Sequence, residues 1–268
     1  LSVCGRSLDG VQLKDGGMIF SKKHDFLFIK GRKIAGTSIE MALSTICGPD
    51  DIITRITPID ELERLRRGGK SAQNYSCDRD GERAYIEKLL AQAEDLEAIE
   101  QIRPPRSIYK NHISLREFTE RYGSLPTERI FGVERSPYAK IISRAIMAVK
   151  FSRYRRTGED ISISPDQIGS IVETQMKRRD IEICKNIDLY RGSDGRIPVR
   201  VLRQEALAEE FAKLMVDYGI SPAPELPHAK KGVNSNSVDP KTVFTREQLD
   251  RINAVYADEF DTFGYERL

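Results

Sequence analysis

Apolar residues along the chain fall into two kinds of run. Phe26-Leu27-Phe28-Ile29 and Ile130-Phe131-Gly132-Val133 are short and nearly unbroken, the pattern of strands buried on both faces. A weaker patch at Met18–Phe20 lies in a glycine-rich lead-in, residues 1–25, read as irregular with an edge hairpin. Arg106–His112 is a further short strand candidate, and Ile187–Tyr190, turning at Gly192–Gly195, is paired with Ile197–Leu202 as a hairpin. Helical spacing appears elsewhere. Ile39, Ala42, Leu43 and Ile46 follow i, i+3, i+4, i+7. A strongly acidic helix is expected over Glu82–Glu100, and helices are expected over Ser114–Tyr122 and from Ser164 to about Cys184. Leu207, Phe211, Leu214, Met215 and Tyr218 share one face of a helix that Gly219 ends. The last helix opens on Thr245-x-x-Gln248, a capping box, and buries Leu249, Ile252, Tyr256 and Phe260.

Strands alternating with helices in 268 residues predict one α/β domain, a mainly parallel central sheet flanked by helices. Charge is high but balanced at a net +2, which argues against a nucleic-acid or anionic-membrane partner. No apolar run has the length of a membrane span. The four cysteines are scattered and suit neither zinc nor a disulfide framework, so reduced thiols in a cytoplasmic protein are expected. The chain begins at Leu1 rather than Met, which leaves room for an upstream signal or anchor. Oligomeric state cannot be read from these features.

The stretch that organises the rest is Phe26–Leu43. A strand that turns on glycine into a helix directs the free N–H groups of the first helical turn, and the positive end of the helix dipole, at one point. Gly31, Gly36, Thr37 and Ser38 read G-x-x-x-x-G-T-S, the P-loop pattern with Thr37 where its lysine belongs. The loop instead carries Arg32 and Lys33 ahead of Gly36. This is a P-loop-like, nucleotide-binding architecture that has moved its cation.

RKIAGTSIE resembles the K-x-x-G-T-S loop of sulfotransferases that use 3′-phosphoadenosine 5′-phosphosulfate (PAPS). The resemblance implies that Lys33, Gly36, Thr37 and Ser38 hold the phosphosulfate end of that donor, with Arg32 beside them. A second element agrees. After the strand at Arg129–Glu134, Ser136 and Pro137 open a helix on which Ser136, Lys140, Ser143 and Arg144 form one arc and Ile141, Ile142, Ala145, Ile146 and Val149 the opposite one. VERSPYAKIISRA resembles the family's 3′-phosphate element, with Arg135 and Ser143 in the places of its arginine and serine. The residue after Arg135 is Ser where the family often has an acid. VLRQEAL and the closing Asp261-Thr-Phe-Gly-Tyr265 also look like family elements, so the resemblance runs from about residue 26 to 266 with gaps at 48–105 and 151–186.

His112, in the turn between a strand candidate and a helix, is the expected base, since a neutral imidazole suits proton removal near pH 7. Lys33 and His112 are thus the catalytic expectation. Residues 48–105 are expected to form an acceptor or lid insertion. Residues 221–243 are expected to cover the donor through Lys231 and Asn234. The implied reaction moves a sulfuryl group to a hydroxyl or amine of a small-molecule or saccharide acceptor, without metal. Two other readings stand beside it: a P-loop small-molecule kinase, and a nucleotide-binding scaffold without turnover.

Overall fold

A computed structural model describes residues 17–109, 112–125, 127–157, 163–178, 180–227 and 238–268, with the backbone alone for 150–157. It is a single-domain α/β protein. In chain order it contains β1 (Met18–Ser21), β2 (Phe26–Ile29), α1 (Gly36–Ser44), β3 (Ile52–Ile53), α2 (Pro58–Arg66), α3 (Arg79–Ala91), α4 (Leu96–Gln101) and α5 (Leu115–Tyr122). Then come β4 (Ile130–Glu134), α6 (Pro137–Thr157), α7 (Pro165–Lys177), a 3-10 turn (Asp180–Cys184), α8 (Ile187–Tyr190), β5 (Arg200–Arg203) and a 3-10 turn (Gln204–Ala206). The chain closes with α9 (Leu207–Asp217), α10 (Pro240–Val243), α11 (Arg246–Val255) and α12 (Ala257–Phe263).

The sheet has the order β3-β1-β2-β4-β5 and is mixed, not mainly parallel. β2–β4 and β4–β5 pair parallel; β1 pairs antiparallel with both β2 and β3. The reason is local. Only four residues join β1 to β2, too few for a crossover, so that pair must be a hairpin. Asp51 braces its turn, accepting from the Ser21 hydroxyl at 2.8 Å and from the N–H groups of Lys22 and Lys23 at 2.8 and 3.1 Å. β1 is therefore interior to the sheet, and β3 takes the edge.

Both faces of β1, β2 and β4 are buried. Phe26 and Phe28 face α1 and α9 in one core cluster, while Leu27 and Ile29 face α5 and α8 in another. A third cluster joins α6 to α7, α11 and α12. Gly132 is required where β4 passes Tyr190, because a Cβ there would lie 2.6 Å from the ring.

Several element expectations need correcting. Ile187–Tyr190 is one helical turn rather than a hairpin strand: the Glu259 carboxylate accepts its Asn186 and Ile187 N–H groups, and β5 pairs with β4. Of the strand expected over Arg106–His112, the described residues Arg106–Tyr109 and His112 form none. Ser107 makes one isolated bridge to Tyr75, and Asn74 binds both backbone groups of Tyr109. The acidic helix is two, broken where Asp95 caps α4. The helix expected to reach Cys184 stops at Lys177 and continues as a 3-10 turn. The capping box at Thr245, the helix start at Ser164 and the αL glycine after α9 are as the pattern predicts, and Ser164 adds a full capping box of its own. Among the described residues no helix is long and apolar enough to cross a membrane.

Candidate functional site

β2 and β4 are parallel neighbours in register, Leu27 opposite Ile130 and Phe28 opposite Phe131. Their carboxyl ends therefore emerge side by side. β2 leads into Lys30–Ala35 and α1; β4 leads into Arg135, Ser136 and α6. In open α/β sheets this is where ligands gather.

The first loop turns on residues that are not glycine. Lys33 and Ala35 have φ of 63° and 65°, a left-handed conformation costing about 1–2 kcal/mol each for residues with a Cβ. Such turns aim successive N–H groups into one concavity. The N–H groups of Gly36 and Thr37, at the start of α1, have no intrahelical carbonyl to meet. Both glycines of the G-x-x-x-x-G spacing serve close packing from beneath. A Cβ at Gly36 would lie 2.5 Å from Lys30 Cγ, and one at Gly31 would lie 2.6 Å from Tyr190 Oη.

Lys30 is the residue that the motif reading missed. Its side chain is buried, runs under Gly36, ion-pairs with Glu40 and reaches the Thr37 hydroxyl at 3.4 Å. Burial pushes the Glu40 carboxyl up, with Lys30 and then Arg64 opposing it. The available signal was Glu40 itself, an acid placed between Ile39 and Leu43 on the apolar stripe of α1. A buried acid there needs a cation.

Arg32 and Lys33 turn toward α6. Lys33 Nζ points at Met147 Sδ, one helical turn beyond Ser143. The half-buried Arg32 guanidinium is lowered from its ordinary pKa by desolvation, with Cys184 and Tyr256 as electrostatic neighbours. Arg144, Lys33, Lys140 and Arg32 all act on the buried Cys184 thiol, which desolvation nonetheless raises. Four loop and helix cations thus surround one region, and Arg144 is partly matched there by the Asp180 carboxylate at 3.8 Å.

Arg135 is 6% exposed, and its Nε has no hydrogen-bond partner. Desolvation lowers its pKa to about 10, against the pull of Glu205 and then Tyr265, so it stays charged at neutral pH. Glu205 accepts the Ser136 N–H at 3.1 Å and the Tyr265 hydroxyl at 3.2 Å, drawing β5 and the C-terminal segment to the start of α6. Ser143 is buried about two turns along the same helix. The polar arc of α6 is not solvated. Lys140 is fully buried, bonded to Glu134 at 2.7 Å and to Glu259 at 2.6 Å.

His112 reaches the site by a different route from the expected one. It sits in a left-handed turn, φ 51°, and leans on the end of β2, with Nδ1 3.3 Å from the Lys30 carbonyl. A carbonyl oxygen can only accept, so this contact assigns the ring proton to Nδ1 and, in the neutral imidazole, the lone pair to Nε2. Nε2 is then the nitrogen available to act as a base.

The 48–105 segment holds a cleft of about 610 Å³ beside β3, lined by Asp51, Asn74, Tyr75, Arg79, Glu82 and Ile108 among others. Its lining includes no residue of the phosphate loop or α6. Lys231 and Asn234, the expected donor-covering residues, lie outside the described residues. Comparison of the chain with protein-family models, curated proteins and solved structures finds no match.

Proposed function

We propose that the protein is a sulfotransferase moving a sulfuryl group from PAPS to a hydroxyl or amine of an acceptor, on a P-loop-like nucleotide site. The observation that carries this reading is the parallel pairing of β2 with β4. It puts the G-x-x-x-x-G-T-S loop and the Arg135 loop at adjacent strand ends, which supports one ligand with a phosphate at each loop.

In this reading the first-turn N–H groups of α1, with the Thr37 and Ser38 hydroxyls, hold the 5′-phosphate, and Arg32 adds charge. Arg135 and Ser143 hold the 3′-phosphate, a guanidinium and a hydroxyl on one helix start. The acceptor oxygen attacks sulfur while the bond from sulfur to the bridging phosphate oxygen breaks. Lys33 stabilises the charge that develops on that oxygen, and 3′,5′-adenosine bisphosphate leaves. His112 Nε2 takes the acceptor proton. The unpaired thiols of Cys47, Cys77 and Cys184 suit a reducing compartment, and we assign the reaction to the cytoplasm.

Calorimetric titration with 3′,5′-adenosine bisphosphate, run beside ATP–magnesium, tests this. Tight, metal-independent binding of the bisphosphate supports the reading. Preference for ATP with magnesium replaces it with a kinase, and binding of neither leaves a scaffold.

A further inference from the structure

We infer that Asn186 is a positioning residue for the phosphate loop, and that it registers this loop against the Arg135 loop. The inference rests on the donor-site reading above. Asn186 is fully buried and its side chain is saturated. Its Oδ1 accepts the Arg32 N–H at 2.7 Å, and its Nδ2 donates to the Arg32 carbonyl at 3.1 Å and to Glu134 Oε1 at 2.7 Å. The amide thus grips both backbone groups of one loop residue, as a neighbouring strand would. Glu134 completes the link, because its other oxygen accepts the Arg135 N–H at 3.3 Å and Lys140 Nζ at 2.7 Å. Glu259 holds the backbone N–H groups of Asn186 and Ile187 and also takes Lys140 Nζ. One amide and one carboxylate therefore tie the two anion-binding loops together. Gly31 is the loop's concession to this contact: a Cβ there would lie 2.8 Å from Asn186 Nδ2.

A ligand with a phosphate at each end gains from such registration, because its second end binds at an effective concentration set by the geometry of the first. Removing the grip frees the 5′-phosphate loop while leaving Arg135 and Ser143 in place. In Asn186→Ala, affinity for 3′,5′-adenosine bisphosphate and for 5′-AMP should fall about tenfold or more, and that for 3′-AMP by less than about twofold. Gln248→Ala is the control: this buried amide accepts the Thr245 N–H at 3.0 Å and donates to Glu173 at 3.1 Å, partners outside both loops. It should lower stability and leave all three affinities alone. If Asn186→Ala does not fold, Asn186→Ser, too short to reach the Arg32 peptide, takes its place. Equal losses for 5′-AMP and 3′-AMP would overturn the inference, as would no change in any of the three.

Amide hydrogen exchange makes the test independent of the ligand. Arg32 and Lys33 should exchange at least about tenfold faster in the variant, with β4 unchanged. Unchanged exchange in the loop overturns the inference whatever binds. Failure of the wild-type protein to bind the bisphosphate overturns the donor reading instead, and faster exchange then still supports the grip on the loop.

Discussion

The ammonium of Lys30 is bonded to the Glu40 carboxylate directly beneath the first turn of α1, with the Thr37 hydroxyl 3.4 Å away. A charge pair is thus buried under the loop proposed to bind phosphate. Because Lys30 is engaged from below, Thr37 can still turn its own O–H proton toward a ligand. Lys30→Met keeps the stem under Gly36 but leaves Glu40 buried and unpaired, which should cost about 3–5 kcal/mol. Adding Glu40→Leu should recover most of that loss. Urea denaturation of the two variants measures both, and a single-variant cost below about 1 kcal/mol would contradict the role given to the pair.

Glu134, Lys140 and Glu259 form a buried cluster of two carboxylates and one ammonium. Burial raises the Glu134 pKa to about 7, opposed by Lys140 and helped by Glu259. Its ordinary value is 4.5, so between about pH 4.5 and 7 the folded protein holds a proton that the unfolded chain has released. Stability attributable to Glu134 is therefore greatest below this window and falls as pH rises through it, by up to about 3 kcal/mol. Urea midpoints of wild type and Glu134→Gln should lie closest on the acid side, where the protonated carboxyl resembles the Gln amide, and separate as pH rises through the window, with wild type falling. Parallel pH curves would show that the proton is not held there.

Lys33→Ala should lower turnover by orders of magnitude with a modest change in donor affinity, since the developing charge it stabilises exists only in the transition state. Single-turnover assays with labelled PAPS read this directly, and near-normal turnover removes Lys33 from the chemistry.

His112→Ala should abolish sulfuryl transfer and leave bisphosphate binding intact. With the Nδ1 proton directed at the Lys30 carbonyl, His112→Asn offers a donor there but no base, so it should be equally inactive. An active Asn variant would pass the base role to another group.

Arg135→Ala and Ser143→Ala should weaken 3′,5′-adenosine bisphosphate, and hardly affect adenosine 5′-phosphosulfate, which lacks the 3′-phosphate. For the arginine a loss of about 2–3 kcal/mol is expected, the range of a charge-assisted contact. Equal losses on both ligands, measured by calorimetry, would contradict the 3′-phosphate assignment.

Much of this architecture is legible along the chain. The strands at Phe26 and Ile130, the helical run from Ile39, the caps at Ser114, Ser164 and Thr245 and the stop at Gly219 all depend on residues within a few positions of one another. Backbone propensity, capping and amphipathic spacing act over that range, so the sequence alone determined them. Lys33, Arg135 and Ser143 could be named because the two short motifs that carry the family resemblance are contiguous in the sequence.

Tertiary structure decided the partners. The Met18–Phe20 patch became an interior strand because β3 paired beyond it. Ile187–Tyr190 became a helical turn because Glu259, far along the chain, accepted its N–H groups. His112 reached the site by leaning on another strand's end, and Lys140, on the polar arc of α6, is buried against a pair of carboxylates. Asn186 grips a loop 154 residues away in sequence. A buried polar group must find its complement wherever folding brings one, and that choice depends on the whole packing, not on any local pattern.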